Sequence, residues 1–529
     1  MPNARDELVD LLRENHFCIG VKRGKKYQCG GETNEDAKSK TIELLNEAIE
    51  RMRCWRIWEA WWIELWLDEW LERRDRLEVQ LRGKYSDEVV NDLLRLVDRF
   101  ISYNEQFLNY WREVDSEVRK LIDDLLSGRA EVIIWEGEKG VSVYYGHVTL
   151  EVERTSTGGV TVQLKLSGLK GVTIKVPDVF RKTMSKEEYG KFVEEVLKAL
   201  RGGFEETDGR IEKGNKAAMD TTQIWQVIVW SLLYPGKMRV YIDAVNLNEN
   251  SMTIRWRLRS SHDSLKGKIL SNIDKLSEER LLSFMLTAVL GDGWADITKV
   301  IINGRVYDEA VIEIAMSGEE FNRWEPLFER LESMGFRSGK PNLINGNEVE
   351  VRFYGSNAIN LARAMISVLP PILRDIMDAL SFEKWLNLRR ISEMELKFRR
   401  GEMQVNVAGY KFTVSVQKSE VILEHRAKGD AEIEKVINAL RAVYGIELQV
   451  NVYRSGGYRV VAIPVYVFEK YSDIKEQVIR VLCRKYERTK DERKRQEIIK
   501  TLRRLTPTKG AIAAEHLSQV LCPNQTQAT

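Results

Sequence analysis

The sequence has little cysteine and proline and almost no net charge. Of its 529 residues, five are cysteine and ten are proline, and 82 basic residues nearly balance 80 acidic ones, leaving a formal charge of +2. The cysteines form no CxxC pair, so neither a disulfide framework nor a four-cysteine zinc site is predicted. A balanced charge excludes a globally basic nucleic-acid-binding protein, so any basic surface must be local.

Three metal-binding side chains lie close together near the amino terminus. His16, Cys18 and Cys29 are residue types that could supply three ligands to zinc. The sequence offers no evident fourth ligand nearby, however. The sequence therefore favours no zinc site in this segment and leaves zinc binding as the alternative.

Long hydrophobic runs are also lacking. The longest uncharged apolar stretches, Ile224 to Tyr234 and Leu281 to Leu290, are well short of the ~20 residues that a membrane-spanning helix needs. Met1 to Leu12 lacks the basic-then-apolar order of a signal peptide. We expect a soluble cytoplasmic protein without a membrane partner, and its abundance of Lys, Arg and Glu is typical of thermophilic proteins.

A chain of this length exceeds what one hydrophobic core normally serves, so several domains are expected. The predicted fold class is α+β, with a helical amino-terminal region, a small β-rich middle domain and a pseudo-twofold αββαββα domain at the carboxy terminus. The predicted segments are a helical, tryptophan-rich domain (1–128), an α+β middle domain (129–276), a first half (277–386) and a degenerate second half (387–484) of the repeated domain, and a basic helical tail (485–529).

The amino-terminal region is predicted to form two or three long amphipathic helices between Thr41 and Ser127, where Gly83 is the one strong breaker. Tryptophans recur there at three- or four-residue steps and form one stripe, namely Trp55, Trp58, Trp62, Trp66 and Trp70. This spacing favours a core or a helix–helix seam. The alternatives are a surface for a protein partner or self-association, or an interfacial membrane helix.

The middle domain changes to short β-type runs from Ala130 to Val176, which predict a small antiparallel sheet. Helical segments follow at about 185–200 and 220–233, and further strands at about 238–258. No GxxxxGK[ST] loop or GxGxxG turn occurs in this block, so phosphate-cradling nucleotide sites of those two types are excluded.

The most informative segment begins at Ser277, a predicted N-cap followed by acidic residues in the first helical turn. A helix is predicted from Glu278 to Leu290, and it ends in Gly291-Asp292-Gly293. Two strands, a helix, two more strands and a further helix follow up to Leu369. The predicted order is therefore α-β-β-α-β-β-α.

A shift of the chain by 110 residues places this segment on a second one. Val311 to Met316 falls on Val421 to Arg426, the helix that stops at Gly335 falls on one that stops at Gly445, and Gly291-Asp292 falls on Gly401-Glu402. A single offset without gaps indicates two related halves. The leading helix of the second half is strongly charged, so it cannot pack as the first one does.

Met285 to Gly293, with the sequence MLTAVLGDG, resembles the LLGLLLGDG form that the LAGLIDADG motif takes in many archaeal inteins and homing endonucleases. In that family, two such helices pack through small residues. Each helix delivers its terminal carboxylate to a junction beneath two β-saddles that lie in the DNA major groove. The whole chain also resembles the PaREP family of repeated archaeal genes, a poorly understood family with many degenerate copies.

The LAGLIDADG resemblance implies a Mg²⁺ site, since Mg²⁺ prefers oxygen ligands and few protein carboxylates. Asp292 matches the catalytic, metal-binding acid, the Gly291 carbonyl matches the backbone ligand, and Glu402 is the second acid implied by the repeat. Asp296 is a weaker candidate. Long basic side chains on the strands are expected to contact double-stranded DNA, namely Lys299, Arg305, Arg337, Lys340, Arg352, Lys411, Lys418, Arg454 and Arg459.

Three functions are consistent with these patterns. The first is a mobile-element-associated DNA-binding protein that makes double-strand breaks by Mg²⁺-dependent hydrolysis. The second, which the charged second helix favours, is a DNA-binding regulator that has lost cleavage. The third is a structural or interaction protein that uses the tryptophan-rich helices, with strand cations that are ordinary solvated side chains.

Overall fold

A computed structural model describes residues 4–23, 26–155, 158–249, 251–302, 305–344, 347–395, 403–417, 420–489 and 491–505. The α+β prediction is confirmed. The fold contains two compact units: unit 1 comprises Met1–Asp296, Ile312–Arg352 and Val368–Arg389, and unit 2 comprises Ile297–Val311, Phe353–Ser367 and Arg390–Thr529. The five segments predicted from the sequence stay a prediction.

The amino-terminal region of unit 1 combines helices with one hairpin. Its elements are α1 (Ala4–Arg13), β1 (His16–Arg23), β2 (Lys26–Glu32), α2 (Glu35–Cys54), α3 (Trp61–Leu81) and α4 (Asp87–Leu126). Trp62 and Trp70 on α3 are buried. The Trp62 ring lies edge-on to Trp111 of α4, with ring centroids 5.1 Å apart. These two tryptophans therefore belong to the core, as the helical spacing favours.

The part of unit 1 that follows α4 in the chain contributes most strands of a large sheet. The next elements are β3 (Glu131–Ile134), β4 (Gly140–Tyr145), β5 (Val148–Arg154), β6 (Val160–Leu166), β7 (Val172–Val176), α5 (Val179–Thr183), α6 (Lys186–Lys191), a π-helical segment (Phe192–Leu197), α7 (Lys198–Glu206), β8 (Gly209–Glu212), β9 (Lys216–Thr221), α8 (Ile224–Leu233), β10 (Gly236–Leu247) and β11 (Met252–Asp263).

These strands join the amino-terminal hairpin in one 11-stranded sheet. Its order is β2-β1-β3-β4-β5-β6-β10-β11-β9-β8, and β7 also pairs with β10. The small sheet predicted from the sequence is thus part of a much larger one. The pairing of β1 with β3 is parallel and joins segments far apart in the chain, so local patterning could not predict it.

The predicted order after Ser277 is present. A 3₁₀ segment (Leu270–Lys275) leads into α9 (Glu278–Gly291), β12 (Gly293–Ile302), β13 (Arg305–Ser317), α10 (Gly318–Ser333), β14 (Asn342–Ile344), β15 (Glu348–Tyr354), α11 (Ser356–Ser367), α12 (Pro371–Leu380) and α13 (Glu383–Glu393). The Ser277 side chain accepts a hydrogen bond from the Arg280 amide, which caps α9 as expected. The four strands form a sheet in the order β12-β13-β15-β14.

The carboxy-terminal part of unit 2 has its own sheet and core. Its elements are β16 (Gln404–Val407), β17 (Tyr410–Gln417), β18 (Glu420–Ala427), α14 (Asp430–Tyr444), β19 (Asn451–Ser455), β20 (Tyr458–Pro464), α15 (Val465–Phe468), α16 (Ser472–Arg488) and α17 (Glu492–Leu505). The sheet order is β16-β17-β18-β20-β19, and Phe412, Leu423 and Val461 are buried in its core. None of the described helices is both long and apolar enough to cross a membrane.

One strand order recurs three times. In the first copy (198–263), α7-β8-β9-α8-β10-β11 pairs its strands in the order first, second, fourth, third. The second copy (278–354), α9-β12-β13-α10-β14-β15, has the same order, and so do the four strands β17, β18, β19 and β20 of the third copy (410–464). The sequence repeat relates the second and third copies. The sequence repeat does not include the first copy, which the sequence prediction places in the middle domain.

A candidate carboxylate site at two helix ends

Helices α7 and α9 approach closely through small residues. A Cβ atom on Gly203 of α7 would overlap the Phe284 carbonyl oxygen and the Thr287 hydroxyl of α9, so only glycine fits this position. Thr287 and Ala288 are buried at the contact, and the Thr287 hydroxyl donates to the carbonyl oxygens of Ser283 and Phe284 in its own helix. The predicted close packing of α9 is therefore present, and its partner is α7.

An aspartate follows each of the two helices, and the helix ends touch. Helix α7 is followed by Thr207 and Asp208 before β8 begins at Gly209, and α9 is followed by Asp292 before β12 begins at Gly293. A Cβ atom on Gly291 would overlap the Thr207 hydroxyl and lie 2.8 Å from Asp208 Oδ2. Glycine at 291 thus allows the carboxylate of one helix end to lie against the backbone of the other.

Asp208 is half-buried, and this burial is the main reason that its pKa rises to about 6; the nearby charge of Asp292 raises it further. Gln226 Nε2 donates to Asp208 Oδ2 over 2.7 Å, which fixes the carboxylate and favours its charged form. The Asp292 side chain reaches solvent, but the protein atoms around it raise its pKa by desolvation. The two acids therefore form a pair of repelling negative charges that a cation would stabilise.

One lysine supplies positive charge to this pair. Lys384, at the start of α13, donates from Nζ to the carbonyl oxygen of Gly291 and, over 3.2 Å, to that of Leu290. Burial lowers the pKa of Lys384, while Asp208 and Asp292 favour its charged form. Its ammonium thus binds the carbonyl that the LAGLIDADG resemblance assigns to the metal ion.

A cavity of about 590 Å³ opens beside Asp208 and Gly291. Its walls carry acidic and basic side chains in similar numbers, including Glu69, Arg73 and Lys384. This volume lies in the range of small-molecule sites, ~300–1,000 Å³. The mixed charge differs from that of a purely basic phosphate pocket.

Two further acids on α7 have structural roles. Glu205 is fully buried and accepts hydrogen bonds from the Tyr234 hydroxyl, over 2.6 Å, and from the Leu265 amide, over 2.7 Å. Glu206 is buried and pairs with Arg323 over 2.9 Å. Because their oxygens are engaged by neighbouring elements, these acids anchor the last turn of α7, and Asp208 is the candidate site acid at this helix end.

Arginines on the strands are paired with acids of the same sheet. Arg257 of β11 lies 3.1 Å from Asp220 of β9 and 2.7 Å from Asp243 of β10. Arg352 of β15 lies 2.6 Å from Glu313 of β13 and 2.7 Å from Glu350 of its own strand. The fourth strand of the first copy and that of the second therefore each carry an arginine whose charge is largely neutralised within the protein.

The structure places the predicted site residues in different surroundings. Gly291 and Asp292 lie at the touching helix ends, and Asp296 is half-buried on β12. The basic candidates that are exposed are Lys299, Arg337, Lys340, Lys411 and Arg454. Arg459 pairs with Asp430 over 2.5 Å. Glu402, Lys418 and the side chain of Arg305 lie outside the described residues.

Sequence reasoning missed Asp208, Gly203 and Lys384. A usable signal was present, because sliding the chain until Asp208 falls on Asp292 also places Gly209 on Gly293 and Gly203 on Thr287. Lys384 gave no comparable signal, since it lies far along the chain in a helix without a recognisable motif.

No family model and no curated protein matches the chain. Among solved structures, it is similar to the I-SmaMI LAGLIDADG homing endonuclease bound to cleaved DNA, at 10% identity and a TM-score of 0.14, over 44% of this chain and 98% of that chain. It is also similar to full-length DUF199/WhiA from Thermatoga maritima, at 9% identity and a TM-score of 0.19, over 60% of this chain and 93% of that chain. The LAGLIDADG homing endonuclease I-GzeII in complex with its DNA target gives 10% identity and a TM-score of 0.12, over 41% and 96%. TM-scores this low do not establish a shared fold.

Proposed function

We propose that the chain is a DNA-binding protein of the homing-endonuclease type, and that Asp208 and Asp292 form a Mg²⁺ site for phosphodiester hydrolysis. The observation that carries the proposal is the close α7–α9 pair, with an aspartate at the end of each helix. This is the arrangement that the LAGLIDADG resemblance of α9 implies. Asp208 takes the role of second acid that the sequence repeat assigns to Glu402.

The side chains at the helix ends fit a magnesium ion. The Asp208 and Asp292 carboxylates are hard oxygen donors, which Mg²⁺ prefers. The backbone carbonyl of Gly291 would be a third donor if the ion replaced the Lys384 ammonium, which donates to that carbonyl in this structure. A divalent cation would also relieve the repulsion by which Asp292 raises the pKa of Asp208. When bound, the ion would polarise a phosphate and activate water. Gln226 would orient Asp208, and Lys384 would add positive charge beside Gly291.

Cleavage can be tested with the purified chain and a plasmid that carries its own flanking genomic DNA. We expect Mg²⁺-dependent linearisation that Asp208→Asn and Asp292→Asn each abolish. Glu69→Gln is the matched control, because Glu69 lines the same cavity from α3 and lies at neither helix end. Linearisation that survives both aspartate substitutions would contradict the proposed site.

One contact favours a second candidate function, DNA binding without cleavage. The Lys384 ammonium already donates to the Gly291 carbonyl and so can supply the positive charge that a metal ion would otherwise provide. On this alternative, the wild-type chain retains DNA with steep salt dependence and leaves it intact at any Mg²⁺ concentration. Intact DNA together with salt-sensitive retention would therefore select the regulator over the nuclease.

The third function is an interaction protein that uses the tryptophan-rich helices. Trp62 and Trp70 are buried, so these two side chains are not accessible to a partner. This function predicts no retention of DNA even at ~50 mM salt, where phosphate contacts are strongest. A filter-binding titration from about 50 to 200 mM salt separates this function from the other two.

A further inference from the structure

The amino-terminal hairpin brings two cysteines together within the large sheet of unit 1. Strand β1 lies between β2, to which it is antiparallel, and β3, to which it is parallel. Cys18 on β1 and Cys29 on β2 are joined by a disulfide, with Cα atoms 5.6 Å apart. The spacing of the cysteines in the sequence does not predict this bond, which depends on the pairing of the two strands. An irregularity in the register at Ile19/Gly20 pairs Cys29 with Gly20, two residues beyond Cys18.

The same face of the sheet carries a histidine and a glutamate. His16 and Cys18 are two residues apart on β1, so their side chains project from one face. Glu131 is the direct partner of His16 in the parallel β1–β3 pair. Ligand atoms of His16, Cys29 and Glu131 all lie within 4.8 Å of one another. The sequence offers three potential zinc ligands here, and the fold adds Glu131 as a fourth.

We propose that the reduced hairpin binds one zinc ion through His16, Cys18, Cys29 and Glu131. Two thiolates, one imidazole and one carboxylate complete a four-coordinate set of ligand types that zinc accepts. The exposure of His16, Cys29 and Glu131 gives the ion access, and the burial of Cys18 anchors the site to the fold. This site is independent of the carboxylates at the helix ends.

The chemistry begins with reduction of the disulfide. A phosphine supplies two electrons that cleave the Cys18–Cys29 bond, and one water molecule supplies the oxygen of the resulting phosphine oxide and the protons of the two thiols. A dithiol instead supplies both electrons and both protons and is itself oxidised to a disulfide. Zinc then displaces one proton from each thiol as the two Zn–S bonds form. The disulfide joins β1 to β2 alone, whereas zinc would also bind Glu131 and so tie both strands to β3. A reducing compartment would therefore favour the metal form over the disulfide form.

The test uses the full chain, reduced with a phosphine, stripped of metal with a chelator, and titrated with Zn²⁺ against a chromophoric chelator. We expect one zinc ion per chain in the reduced protein and none in the oxidised protein. Co²⁺ in place of Zn²⁺ should give the thiolate-to-metal absorption of a site with cysteine ligands. A reduced wild-type chain that binds no zinc would overturn the proposal.

Single substitutions test the ligand set. Cys29→Ser, His16→Ala and Glu131→Gln should each weaken zinc binding by at least about 10-fold, since changes even to outer-shell partners cost ~10–100-fold. Cys54→Ser is the matched control, because Cys54 is an exposed free cysteine on α2 and should leave binding unchanged. Circular dichroism should show the wild-type fold in every variant. Wild-type affinity in any of the three ligand variants would overturn the four-ligand assignment.

Discussion

The first and second copies share an element order and a strand order, yet different side chains form the contact between their leading helices, α7 and α9. Helix α7 contributes Gly203, whereas α9 contributes Thr287 and Ala288. Every residue of α9 from Leu281 to Gly291 is buried, while the last turn of α7 holds two buried glutamates. The α7–α9 contact therefore requires small side chains where the helices touch, whereas the rest of each helix can vary in polarity.

The two proposed site acids, Asp208 and Asp292, also differ. Asp208 is half-buried and held by Gln226, and its pKa rises to about 6. Asp292 reaches solvent, and its pKa is raised as well. Equivalent positions in two copies of one topology therefore have unequal electrostatic surroundings, and substitutions at the two ends should have unequal effects.

The largest expected effect comes from adding a methyl group at the α7–α9 contact. Gly203→Ala places a methyl group onto backbone atoms of α9, which cannot move as a flexible side chain can. We expect the free energy of unfolding to fall by about 3 kcal/mol, the upper part of the usual range for overpacking. Denaturant unfolding of unit 1, followed by tryptophan fluorescence, measures this change.

Gly190→Ala is the control for that substitution. Gly190 also lies in a helix, but a Cβ atom there meets nothing within 4 Å, so alanine should stabilise the chain by up to ~1 kcal/mol. Equal effects at the two glycines would show that helix propensity, and not the α7–α9 contact, governs position 203.

The next effect concerns Asp208 and depends on pH. Its pKa in the folded chain, about 6, exceeds the ordinary 3.8, so the folded state binds a proton more tightly than the unfolded state. The wild-type chain therefore loses stability as pH rises from about 4 to 7, and the penalty is complete above that range. Asp208→Asn should stabilise the metal-free chain at pH 8 by about 2 kcal/mol and should have little effect at pH 4. The expected stabilisation is smaller than the full pKa difference implies, because solvent screens the half-buried carboxylate.

Thermal melts of wild type and Asp208→Asn across this pH range measure the difference. Asp263→Asn is a control with an expected effect of opposite sign. The hydrogen bond from Lys216 lowers the pKa of Asp263, so removing this carboxylate should destabilise the chain at pH 8. A stability difference between wild type and Asp208→Asn that does not vary with pH would contradict the raised pKa.

A smaller effect tests the matching arginines of the two sheets. Arg257 and Arg352 each lie between two acids, and both side chains are about one-third exposed, at 31% and 38%. Replacing either by methionine should cost about 1 kcal/mol, because solvent screens such pairs. In a double-mutant cycle, Asp220→Asn should recover part of the Arg257→Met loss. Strict additivity of the two changes would show that the ion pair contributes no stability.

Local signals explain what the sequence could predict. The Ser277 cap, the apolar run of α9 and the Gly291-Asp292-Gly293 ending all lie within one short segment, so the helix could be predicted together with the position of one candidate acid, Asp292. The same holds for the element order of the second copy and its offset of 110 residues from the third.

Non-local contacts explain what was missed. The sequence of α7 does not predict a helix that packs closely against another helix, because it carries the charged residues Arg201, Glu205 and Glu206. The two glutamates are stabilised by groups far away in the chain, such as Tyr234 and Arg323. The continuity of α7 with a π-helical segment also disturbs the regular period. Glu131 is likewise far from His16 in the chain and reaches it only through strand pairing.

The smallest expected effect tests whether the strands of the first copy, in the 11-stranded sheet, contact DNA, and it depends on the proposed function. Asp243 pairs with both Arg255 and Arg257, so Asp243→Asn would leave two arginines more available to phosphates. We expect tighter DNA retention and a log–log salt slope that is steeper by about 1–2, close to one for each arginine released. Asp36→Asn is the comparison, because it makes the same change in net charge on helix α2, where Asp36 pairs with Lys40, and not on a strand of the first copy. An unchanged slope in Asp243→Asn would exclude this face from the DNA interface, even if the chain binds DNA elsewhere.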